Sequence, residues 1–172
     1  MSVVIKNNPV APLEFSFLWS LGSVETMQNS IDDDSGDASG GAAIDFGLIL
    51  VVGSSPINRI VISRIGEKAG LRTVCATPDG ARAALGDALP VLAILDGGAD
   101  DRECDRLLDH LAGLRRFVAG GHAPMAIFLY NHAATAQPGR HAAIDKVMAK
   151  PVMPDRLQPV IQEMVDRLQR AS

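Results

Sequence analysis

Residues Val91 to Gly98, VLAILDGG, set five apolar side chains in a row between Pro90 and a glycine pair, with one acid, Asp96, closing the run. An apolar run without polar alternation fits a strand buried on both faces, as in the middle of a parallel sheet. Ligands and chemistry collect at the carboxyl edge of such sheets, so Asp96 is a candidate site residue by position alone. An acid there can also cap a turn or pair with a lysine, and the rest of the chain has to decide between these roles.

A second run, Gly47 to Val52, reads in the same way. It passes directly into Gly53, Ser54, Ser55 and Pro56, a turn that ends in a capping hydroxyl and a proline suited to the first helical position. Ile57, Ile60, Val61, Ile65 and Ala69 then recur at helical spacing, and Gly70 closes the helix. Arg72–Ala76 reads as a short strand, and Thr77 before Pro78 as the start of a helix through Leu85. Asp101–Phe117 gives an amphipathic helix with Cys104, Leu107, Leu108, Leu111, Leu114 and Phe117 on one side. Pro124–Leu129 and Lys146–Ala149 are the fourth and fifth strands, with a short helix expected between them within Ala133–Ala143. Leu157, Val160, Ile161, Met164, Val165 and Leu168 describe a final helix. Pro159 cannot bond the Asp155 carbonyl, so this ladder is expected to start late or bend.

Strand and helix thus alternate through residues 46–172 on short connections, which favours right-handed crossovers and parallel pairing. The economical fold is α/β: a flavodoxin-like, doubly wound five-stranded parallel sheet in the order 2-1-3-4-5, with helices on both faces. Composition suits it, since 47% of the 172 residues are apolar but only 4% are aromatic, and aliphatic side chains pack closely between helix and sheet.

Residues 1–45 differ from the rest. They hold Lys6 against seven acids, whereas the remainder holds 15 basic and 13 acidic residues. Asp32–Gly41, DDDSGDASGG, cannot bury enough apolar area to offset ordering, so residues 1–45 are expected to be a flexible acidic extension. A calcium loop is excluded by spacing, because the obligatory glycine position falls on Asp37. Residues 13–21, LEFSFLWSL, concentrate two phenylalanines and the single tryptophan, as a docking peptide or a short packed element would.

Several function classes drop out. The near-neutral domain has no basic stripe interleaved with aromatics, which argues against nucleic-acid binding. Its apolar runs are too short to span a bilayer, Cys75 and Cys104 form no C-x-x-C pair, and no signal peptide is present, so a soluble cytoplasmic protein is expected. His110, His122, His132 and His141 have no metal-ligand spacing. Without a phosphate-binding loop, dinucleotide fingerprint or nucleophile elbow, no enzyme activity is expected.

The segment ILVVGSSPINRIVISRIGEKAG resembles the opening of a response regulator receiver domain, LAILD its phospho-acceptor strand, and AKPV with the following helix its ending. The resemblance covers about residues 46–170. It implies phosphoryl transfer from a histidine kinase to Asp96, with Lys150 pairing the phosphoryl oxygens and Mg²⁺ held by acids. This sequence departs from that pattern at four positions. Gly53 and Ser54 stand where the family has an acid pair, Leu129 where it has Thr or Ser, and Val147 where it has the switch aromatic. Mg²⁺ would be left with one carboxylate, a carbonyl and waters, so no cofactor is expected beyond weak Mg²⁺ binding.

The expectation is therefore a divergent, pseudo-receiver-like single domain acting by protein-protein contact in a phosphorelay. Its partner would be a histidine kinase or another phosphorelay protein, and a homodimer through the last helix and fifth strand is possible by resemblance. Without phosphorylation, Asp96 and Lys150 are expected to form a structural ion pair; residual phospho-acceptor activity at Asp96 is one alternative. The other is a cyclic dinucleotide receptor, with exposed N–H groups at the Gly53–Ser54 turn and contacts from Arg115, Arg116, Tyr130, His132 and Arg140. Few residues follow the final helix, so output is expected through a surface rather than an attached effector domain.

Overall fold

A computed structural model describes residues 43–87, 89–118, 121–131 and 141–171. The acidic extension as far as residue 42, with its aromatic segment, and most of the helix expected within 133–143 lie outside the described residues, as do His132 and Arg140.

The described elements are β1 (Ile44–Val52), α1 (Pro56–Lys68), β2 (Arg72–Ala76), α2 (Ala81–Asp87), β3 (Leu89–Asp96), α3 (Asp105–Arg115), β4 (Met125–Tyr130), β5 (Lys146–Ala149) and α4 (Pro154–Ala171). The five strands form one parallel sheet in the order β2-β1-β3-β4-β5. Every residue of β3 is buried, as its unbroken apolar run requires.

Alternation along the strands divides the core. Ile49, Val51, Ile94, Ile127 and Leu129 face α1 and α4, while Leu50, Val52, Leu95 and Phe128 face α2 and α3. Helices therefore cover both faces. No helix among the described residues is long and apolar enough to cross a membrane.

Five local expectations are corrected. The first strand begins at Ile44 rather than Gly47; its register with β3 shifts between Asp45 and Ile49, beside Pro90, which has no N–H to give a regular ladder. Within α1 the inward stripe is Ile62, Ile65 and Gly66, whereas Ile57 and Ile60 are 73% and 61% exposed. Both stripes have helical spacing, and Gly66 selects the inner one: a Cβ there would lie 2.9 Å from Thr73 Cγ2 on β2. Helix α2 starts at Ala81 because Thr77 caps a turn instead, accepting the Gly80 N–H at 3.3 Å. Helix α3 starts at Asp105 because Gly98 and Asp101 are left-handed, at φ 76° and 61°. It ends at Arg115, so Phe117 lies beyond it and is 80% exposed. Pro159 does not delay α4, which runs from Pro154 to Ala171.

Arg115 knits the amino edge of the sheet. Its guanidinium donates to the carbonyls of Pro124 and Ala143 and to Asp145, which in turn accepts the Ala126 N–H at 2.7 Å.

Candidate functional site

Asp96 ends β3 at the carboxyl edge and is 2% exposed. Lys150 follows β5, and its N–H donates to the Tyr130 carbonyl at 2.8 Å, which fixes it beside the end of β4. From there the ammonium donates to Asp96 Oδ1 at 2.8 Å and to the Gly98 carbonyl at 2.6 Å. The Gly98 N–H reaches Asp96 Oδ1 at 3.1 Å. Asp96 Oδ2 accepts from Asn58 Nδ2 at 2.7 Å.

Asn58 is a site residue that sequence reading missed. Ser55 caps α1 by accepting the Asn58 N–H, and this places Asn58 in the first helical turn beside the strand end. With Pro56 as the first helical residue, the signal was present: an amide one turn beyond a strand that points at Asp96.

The four departures have structural consequences. A Cβ on Gly53 would lie 2.8 Å from Asp96 Cβ, so the backbone of β1 has closed onto the acid. Ser54 Oγ donates to the Glu103 carboxylate, and Arg59 donates to the carbonyls of Gly53 and Ser54. Leu129 is fully buried directly opposite Asp96 in the β3–β4 register. Val147 pairs with Phe128 and is 39% exposed.

A cleft of about 410 Å³ opens above this cluster, and its polar lining is Asn58, Asp96, Asn131 and Lys150. The rest of its lining is apolar: Val61, Ile62, Leu129, Pro151 and Val152.

Burial raises the Asp96 pKa, but the hydrogen bonds from Lys150, Asn58 and the Gly98 N–H, together with the Lys150 charge, outweigh it and hold the carboxyl below its ordinary value. A group depressed in the folded state stabilises it above the unfolded-state pKa, and that contribution is lost as pH falls through the folded value. Asp96→Asn is therefore expected to flatten the loss of stability below about pH 4. Urea unfolding at several acidic pH values measures this; an unchanged slope would show that the pair contributes nothing. Cys104, whose thiol donates to the Asp96 carbonyl at 3.3 Å, is pushed up to about 12 by burial and by the Asp96 charge, so it stays a thiol.

The donor set does not fit a hexacoordinate Mg²⁺. Both Asp96 oxygens and the Gly98 carbonyl already accept hydrogen bonds, and the described residues contain no group of three His, Cys, Asp or Glu side chains able to hold a metal.

Of the residues read as a dinucleotide site, the described Arg115, Arg116 and Tyr130 are not brought together. Arg115 is committed to carbonyls and Asp145 at the amino edge, with exposed Arg116 next to it, whereas Tyr130 ends β4 at the carboxyl edge. The length of β4 separates them, about 16 Å.

A parallel 2-1-3-4-5 sheet with an acid closing its central strand and a lysine following its fifth is the response regulator receiver fold. Residues 44–171 adopt this fold, and solved structures similar to them include receiver domains and a pseudo-receiver domain. NtrX from Brucella abortus is 25% identical with a TM-score of 0.59; the match covers 72% of this chain but only 28% of NtrX. A CheY-like receiver domain protein from Methanospirillum hungatei is 22% identical with a TM-score of 0.58, covering 73% of this chain and 98% of that one. The pseudo-receiver domain of CikA is 23% identical with a TM-score of 0.50, covering 69% and 96%. No family model and no curated protein matches the sequence.

Proposed function

We propose that this chain is a divergent receiver that works as a cytoplasmic protein-interaction module in phosphorelay signalling, with Asp96 serving as a structural anion rather than a phospho-acceptor and with no enzyme activity of its own. One observation carries this reading: every oxygen of Asp96 is engaged by Lys150, Asn58 or the Gly98 N–H. Phosphoryl transfer needs an exposed in-line carboxylate, a metal and a donor for the phosphoryl oxygens. Here the carboxylate is buried, the metal donors are engaged, and Leu129 offers no hydroxyl.

The partner is a histidine kinase or another phosphorelay protein, and α4 with β5 is the surface through which a homodimer would form. Acetyl phosphate with Mg²⁺ is expected to leave the intact mass unchanged. A stoichiometric, base-labile phosphoryl adduct that disappears in Asp96→Asn would restore the phospho-acceptor role.

A further inference from the structure

We propose that the carboxyl-edge cleft is a binding site for a compact, uncharged organic molecule that carries a carbonyl-type acceptor. Its volume, about 410 Å³, falls in the range of about 300–1,000 Å³ typical of small-molecule pockets. The walls given by Val61, Ile62, Leu129, Pro151 and Val152 offer an apolar body hydrophobic contact on several sides.

The polar side selects against ions. Lys150 already cancels the charge of Asp96, so an entering anion or cation would lose its hydration without meeting an uncompensated counter-charge. A neutral molecule avoids that loss. An ammonium has three donors, and among the described contacts Asp96 and Gly98 take two, which leaves one for a carbonyl oxygen in the cleft. Leu129 completes the selection: a hydroxyl at this position would have favoured a polar occupant, whereas the leucine makes the inner wall apolar.

This inference rests on the closed Asp96–Lys150 pair of the preceding section but not on any protein partner. Failure of the two readings is distinguishable, because phosphoryl labelling tests the pair and ligand titration tests the cleft. The experiment is a methyl NMR titration of the full chain with acetophenone, with benzoate as the anion of the same ring. Acetophenone is expected to shift the methyls of Val61, Ile62, Leu129 and Val152 saturably, leaving those of Leu107 and Leu108 on the other face of the sheet in place. Benzoate is expected to bind at least tenfold more weakly, a difference of about 1.4 kcal/mol. Val61→Trp, at a half-exposed helical position on the cleft wall, is expected to abolish the shifts in a folded protein, and Val152→Phe to do the same from the other wall. Absence of saturable shifts, equal binding of benzoate, shifts spread over both faces, or wild-type binding by both variants would overturn the proposal.

Discussion

Lys150→Met is expected to destabilise the fold by about 3 kcal/mol at neutral pH, because it leaves the carboxylate of Asp96 in a buried position without a counter-charge. Asn58 and the Gly98 N–H remain, but neither carries charge, and the Gly98 carbonyl also loses its donor. The double variant Asp96→Leu/Lys150→Met is expected to regain most of that loss, since an apolar pair of similar volume removes the buried charge altogether. Urea unfolding of the wild type, both single variants and the double variant measures the coupling directly. A Lys150→Met protein as stable as the wild type would mean that the ion pair is incidental to the fold.

The second large effect concerns the end of β1. Ser54→Asp returns one carboxylate to the edge of the sheet, where it faces Glu103 in place of a hydroxyl that donates to it. Without a divalent ion, the lost hydrogen bond and the new repulsion are expected to cost about 1 kcal/mol. Millimolar Mg²⁺ is expected to recover that stability in the variant and to leave the wild type unchanged, because only the variant sets a second carboxylate directly against Glu103 for the ion to bridge. Gly53→Asp is different: its Cβ falls 2.8 Å from Asp96 Cβ, so the strain of the substitution remains with or without the ion. Thermal unfolding with Mg²⁺ and with a chelator separates the two. Equal Mg²⁺ responses from the wild type and Ser54→Asp would refute the electrostatic explanation.

The sheet was largely legible because its strands are written as uninterrupted apolar runs or bounded by glycine and proline. Val91–Asp96 had to be central, and Arg72–Ala76 and Lys146–Ala149 lie where the pattern puts them. The phase of α1 was not legible. Its sequence carries two apolar stripes of equal spacing, and the choice depends on the fit of Gly66 against Thr73, which is a tertiary contact.

The candidate site divides in the same way. Asp96 and Lys150 were readable from position and flanking motif, and their 2.8 Å pairing follows from adjacent strand ends. The loss of acids at Gly53 and Ser54 was visible as an absence only. That Asp96 packs against the Gly53 backbone, and that Ser54 recruits Glu103 from another element, required the chain to be folded. Arg115 illustrates the opposite error: a guanidinium looks available in sequence, yet this one is occupied by two carbonyls and Asp145 at the far edge of the sheet.

The most direct measurement is a Mg²⁺ titration of the wild-type protein followed through the backbone amides of Gly53, Gly97 and Gly98, which surround the Asp96 carboxylate. An ion pair that already satisfies the acid predicts amide positions that stay fixed through millimolar Mg²⁺. Saturable shifts at these three glycines would contradict it, since they would show a divalent ion seated where Lys150 now holds the site closed.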